Sequence, residues 1–174
     1  MDWSESILRV IEFRTFSNIW YWFAVIVSWA VASHWLIGVP FDLLFRARRH
    51  EATKVADLEA IVDVNVRRFT YMTDLAGPWL LGLLSFVLSG LFLAGFGYGV
   101  EVAQGLFILS APLSLILGLN VMLAYQLRAA PLYGPALVHK LFRLRIWTQA
   151  IGMIAMFFTA MYGMYYNLAE QSFF

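Results

Sequence analysis

His34 is the one side chain able to carry a charge near neutral pH in the run from Ile19 to Ile37. An imidazole at that depth has the chemistry to ligate haem iron or to hydrogen-bond a quinone carbonyl. A bis-histidine haem needs a second imidazole at similar depth, and His50 and His139 fall among basic residues outside the apolar runs. A hydrogen-bonded packing histidine is therefore preferred, and His34 stands as the one candidate for cofactor binding. Asp42 is the next suspect, because acids within a membrane are functional suspects by default. It lies just past Pro40 with Arg46 four residues on. That spacing suits an i, i+4 ion pair, so Asp42 reads as an interfacial anchor rather than a proton relay. No apolar run has an acid near its centre, which speaks against an ion-coupled small multidrug transporter. Asn120 and Gln126 are uncharged and suited to hydrogen bonds between helices.

Signatures of catalysis are missing from the rest of the chain. It has no HExxH, no nucleophile elbow and no phosphate-cradling loop; the Gly95-x-Gly97-x-Gly99 run ends an apolar segment and lacks a strand–turn–helix context. With no cysteine, the chain offers no disulfide, no thiolate nucleophile and no cysteine-held zinc or iron–sulfur cluster. An enzyme is not expected, nor a resident metal or cofactor.

Composition explains where these residues sit. Hydrophobic residues make up 61% of the chain and charged ones 13%, against about 45–50% and 25% in soluble domains. The solvent is mostly lipid. A net charge of +1 gives no concentrated basic face for nucleic acid. The amino terminus mixes acids with bases and lacks a positive n-region, so a cleaved signal peptide is not expected.

The elements follow from periodicity and breakers. Residues 1–16 place Trp3, Ile7, Val10 and Ile11 on one helical face and Asp2, Glu5, Arg9 and Glu12 on another, an interfacial amphipathic helix. Residues 17–45 form span 1, capped by Ser17 or Asn18 and marked at the interface by Trp20, Tyr21 and Trp22. Gly38 and Pro40 should bend or end it. Residues 51–76 form a cytoplasmic amphipathic helix, which Gly77-Pro78 separates from span 2 at 79–100. Within it, Asp63 and Arg67 have ion-pair spacing. Span 3 covers 102–127 around Pro112, a proline-broken loop and the first turns of a helix fill 128–145, and span 4 covers 146–168. The expected fold is all-α and polytopic, with four transmembrane helices plus the two amphipathic ones.

Ten of the twelve Lys and Arg residues follow spans 1 and 3, so those segments are cytoplasmic and both termini face the periplasm of a bacterial inner membrane. Ser110, Ser114 and Gly118, and likewise Ala155, Thr159 and Gly163, recur every four residues as helix-packing columns. The same narrowness would admit a carotenoid, quinone or lipid tail. Arg46, Arg48 and Arg49 can meet anionic lipid headgroups. Val55, Leu58, Val62, Phe69 and Met72 form a stripe whose burial calls for a surface, and a protein partner is expected to supply it.

Phe16-Ser17-Asn18 with Tyr21-Trp22, Ala32-Ser33-His34-Trp35, Gly38-Val39-Pro40-Phe41-Asp42 and Arg46-Ala47-Arg48-Arg49 resemble a family of small four-span bacterial inner-membrane proteins. The likeness is strongest over the first fifty residues. Automatic labels in that family sometimes name a component of the iron–sulfur cluster assembly complex, yet cluster assembly implies thiolates that this chain does not carry. The resemblance transfers no catalytic residue. The function expected is a non-catalytic accessory or assembly subunit of a larger inner-membrane complex, in contact with lipids and other integral membrane proteins. A pigment-, quinone- or lipid-binding protein and a small transporter subunit are the alternatives.

Overall fold

A computed structural model describes residues 15–49 and 52–171. The chain is all-helical apart from one two-residue strand pair among the described residues. After a 3₁₀ turn at Thr15–Ser17 come helix α1 (Ile19–His34), strands β1 (Trp35–Leu36) and β2 (Val39–Pro40), and helix α2 (Phe41–Arg48). Three long helices follow: α3 (Ala52–Phe92), α4 (Glu101–Ala129) and α5 (Gly134–Gln171). All three are long and apolar enough to cross a membrane, and the apolar stretch Ile19–Ser33 of α1 is shorter. The interfacial helix expected over 1–16 lies outside the described residues except for Thr15 and Phe16.

Helix α1 starts where the sequence provides a cap: the Asn18 side-chain oxygen accepts the Trp20 N–H at 2.9 Å. It does not run on to residue 45. The helix stops at His34, and Ile37 and Gly38 take φ of 49° and 68°. Two successive positive φ values make the tight turn that matches the twist of paired strands, and Trp35 pairs with Pro40, Leu36 with Val39. The bend or end expected at Gly38 and Pro40 is thus a full reversal, with Gly38 in the turn itself. Pro40 stays extended as the cap of α2, where its missing N–H leaves no bond unmade.

Gly77-Pro78 does not separate two helices. Pro78 lies inside α3, which is continuous over 41 residues. At 1.5 Å per residue α3 is about 60 Å long, twice the hydrocarbon thickness of about 30 Å. Prolines are tolerated within membrane helices because neighbouring groups take up the freed carbonyl. The former amphipathic helix and span 2 are two halves of one rod. A π turn at Leu93–Gly97 and Gly99, at φ 72°, then reverse the chain into α4.

The segment 128–145 is also more helical than expected. Gly134-Pro135 opens α5, with proline in the first turn where its missing N–H is harmless. Glu59 of α3 accepts the Gly134 N–H at 2.6 Å, placing a carboxylate at a helix amino terminus. Only residues 130–133 remain as the connection between α4 and α5.

Two cores stack along the bundle. One is aromatic: Phe16, Tyr21, Val25 and Trp29 pack against Ile116 and Ala155, with Tyr162 and Tyr166 alongside. The other is aliphatic: Leu58, Val62 and Val66 of α3 meet Leu123 and Leu127 of α4 and Leu137, Val138, Leu141 and Leu144 of α5. The hairpin and α2 close this second core with Ile37, Val39, Leu44 and Ala47. It lies beside ten of the twelve basic residues, beyond the uncharged stretches.

Candidate functional site

Polar chemistry concentrates where the two cores meet. The hairpin tip is inserted between α3 and α4, with Ile37 buried. Its N–H donates to Asn120 Oδ1 at 3.0 Å, while Asn120 Nδ2 donates to the Ile116 carbonyl of its own helix at 2.8 Å. A Cβ at Gly38 would come within 2.9 Å of Asn65 Nδ2, so the turn needs glycine for space as well as for its φ. Asn120, expected to bond between helices, instead satisfies a buried turn. The bond is needed, because an unpaired buried N–H costs about 1–3 kcal/mol.

At the same level, Arg145 of α5 donates to the Ser33 carbonyl in the last turn of α1 at 3.3 Å. A cation at the carboxyl end of a helix complements the dipole there. The guanidinium carbon of Arg145 lies 3.6 Å over the Phe41 ring, Phe41 contacts Phe45 at 5.7 Å, and Arg49 lies 4.8 Å over Phe45. Arg48 covers Phe142 at 4.1 Å. The arginine run is therefore a ladder of stacked cations and rings, and Arg46 is set apart by its pair with Asp42 at 3.1 Å.

A cleft of about 220 Å³ opens further out between α3 and the α4–α5 connection. Val62, Val66, Leu127, Leu132 and Leu137 floor it, and Glu59, Asp63, Arg67 and Arg128 stand at its edge. Asp63 and Arg67 pair at 2.9 Å. Arg128 is held by Asp74, which also accepts from the Tyr125 hydroxyl at 2.5 Å. That hydroxyl first, and the guanidinium second, keep the Asp74 carboxyl below the usual carboxylate range. The tie between α3 and α4 is thus present at neutral pH and weakens as pH falls through the depressed value. Every charge at this edge already has a partner.

The other residues singled out by the sequence disperse. His34 closes α1, and its side chain lies outside the described ones. No group of three His, Asp or Glu residues that could hold a metal occurs among the described residues. Ser110 and Ser114 bond to the Leu106 and Ala111 carbonyls of their own helix, and a Cβ at Gly118 would meet nothing within 4 Å. This column does not bring two backbones together. Ala155, Thr159 and Gly163 are buried, but aromatic side chains fill the space: Phe16 lies 3.3 Å from a Cβ built at Gly163. Trp29 stands the same way 3.0 Å from Gly152.

The partner-binding stripe requires correction. Leu58 is 0% exposed and Val62 4%, with Val55 and Phe69 packed against the same aliphatic core, while Met72 is 48% exposed. The chain itself covers Val55, Leu58, Val62 and Phe69, with the first three turns of α5 in the same core, where the sequence suggested a loop followed by the first turns of a helix. What the sequence left unnoticed is the membrane half of α3. Gly82, Ser85 and Ser89 recur there at i, i+3 and i+7, all exposed, and that spacing was the available signal.

No family model, curated protein or solved structure matches the chain.

Proposed function

We propose that the chain is a non-catalytic accessory or assembly subunit of an inner-membrane complex. It crosses the bilayer four times, with α1 as the shortest crossing and both termini periplasmic. The Phe16 N–H bonds to Glu101 at one end of α4, and the Ile37 N–H bonds to Asn120 nineteen residues on. Helix α1 thereby runs beside a stretch of α4 about 28 Å long, close to one hydrocarbon thickness. The basic residues gather at the hairpin end, the side that stays cytoplasmic.

The observation that carries the subunit reading is the bareness of the α3 span. Only 6% of its most apolar 18-residue window is buried, against 17% in α4 and 28% in α5. Lipid alone would satisfy a bare leucine face. It gives no reason to expose Gly82, Ser85 and Ser89 in register, whereas a second helix gains close packing from such a column. The partner contact thus moves from the extramembrane half of α3 to its membrane half.

The test is purification of the full chain in mild detergent, with mass spectrometry of what co-elutes, for the native sequence and for Gly82→Leu/Ser89→Leu. A stoichiometric integral membrane protein that the double variant loses, at unchanged protein level, is expected. A monodisperse native chain without partner, or a partner retained by the variant, overturns the reading. Reporters active on one side of the membrane, fused at Phe174, check the orientation; cytoplasmic activity there contradicts it.

A further inference from the structure

We infer that the corner of α2 and α5 binds the phosphate of an anionic phospholipid, with Arg49 and Arg48 as the donors and Arg145 as the anchor. This inference is independent of the subunit reading. Three features favour a headgroup. The first is depth: Arg145 bonds to the last turn of uncharged α1 and is itself the last charge before the uncharged run 146–168. The corner therefore lies where hydrocarbon ends and phosphates begin. The second is preorganisation. Each of the three guanidinium carbons lies over a phenylalanine ring, 3.6, 4.1 and 4.8 Å from its centroid. Contact with a ring restrains each side chain, and a guanidinium already restrained loses less freedom when its N–H groups grip a phosphate.

The third is charge balance. Asp42 is taken by Arg46 and Asp57 by Lys54, so no carboxylate among the described residues pairs with Arg48, Arg49 or Arg145. Phe45 is exposed beside Arg49, offering acyl chains an apolar contact below the phosphate. A cleft of about 120 Å³ lies next to Arg48, floored by Ala47, Val55 and Val138. Acid-bearing protein surfaces fit this corner less well, because exposed Phe45 and the apolar floor of the neighbouring cleft lie beside the arginines at membrane depth.

The experiment reconstitutes the full chain in nanodiscs of equal phosphatidylglycerol and phosphatidylethanolamine and measures the lipids retained after transfer to detergent. The native chain is expected to retain phosphatidylglycerol preferentially. Arg48→Gln/Arg49→Gln should lower that retention about 30-fold, the ratio equivalent to about 1 kcal/mol per basic residue near an anionic surface. Arg49→Gln alone, at an exposed cap position, should lower it about fivefold and keeps the test valid should the double variant fold poorly. Arg67→Gln/Arg68→Gln removes equal charge from the exposed face of α3 and should leave retention unchanged. Equal retention of both lipids by the native chain, equal loss in the Arg67/Arg68 control, or binding of inorganic phosphate alone as strong as that of the lipid would overturn the assignment.

Discussion

Leu58→Ala decides whether the extramembrane half of α3 belongs to the chain's own core or to a partner. Leu58 is 0% exposed and shares one aliphatic core with Leu137, Val138 and Leu141. Removing its three terminal carbons forfeits about 2.4 kcal/mol at roughly 0.8 kcal/mol per buried carbon. The cavity left between two long helices adds to this, so a total of about 2.5–5 kcal/mol is expected. For a chain of this size each kcal/mol lowers the thermal midpoint by about 2–4 °C, giving a fall of roughly 5–20 °C. Val64→Ala, six residues on and 56% exposed, should stay within about 0.5 kcal/mol of the native chain. Heating the detergent-solubilised chain and measuring the monodisperse fraction by size-exclusion chromatography gives both midpoints. If the two variants melted together, and Leu58→Ala alone lost a co-purifying protein, the core assignment would be wrong and the stripe would be a docking face.

Two further outcomes follow from the hairpin and from the aromatic core. Asn120→Ala leaves the buried Ile37 N–H without its acceptor and should cost about 1–3 kcal/mol. Because the chain has no cysteine, a Val39→Cys probe, at a position 2% exposed, should resist maleimide in the native background and react once Asn120 is replaced. Gly152→Leu drives a side chain into Trp29, 3.0 Å from where its Cβ would sit, and should destabilise by about 1–3 kcal/mol. Gly90→Leu, with open space around it, should leave the thermal midpoint near that of the native chain.

The elements the sequence disclosed are those fixed by local chemistry. Asn18 caps α1, Asp42 pairs with Arg46 and Asp63 with Arg67, as residue type and spacing alone indicate. What escaped is fixed by contacts distant in the chain. An isoleucine at positive φ is an unfavourable turn residue, so Ile37-Gly38 gave no hairpin signal; burial of its side chain and the Asn120 acceptor hold it there. Gly77-Pro78 reads locally as a break, yet α3 continues through it, bracketed by packing on one side and apolar surroundings on the other. The Ala155–Gly163 column signalled close approach but not what approaches, and the answer is the aromatic face of α1 and the turn before it rather than another backbone.

A hydrophobic stripe records that a face is covered, not what covers it. Val55, Leu58 and Val62 would have the same spacing whether α5 or a foreign helix lay opposite; the outcome turned on Gly134-Pro135, which starts α5 early enough to place Leu137, Leu141 and Leu144 against them. Once that core closes, Val55, Leu58, Val62 and Phe69 are no longer free to meet a partner, and the charges at the neighbouring cleft are already paired. The two contacts proposed above fall on surfaces where the hydrophobic effect is weak. Along the bare α3 span, the proposed association would draw on close packing at Gly82, Ser85 and Ser89, since lipid tails are as apolar as any partner. At the α2–α5 corner the proposed lipid contact would draw on ring-backed guanidinium groups, whose charge no acid among the described residues cancels. Both depend on the membrane as solvent, and the interaction of either surface should weaken when the chain is moved from bilayer to detergent.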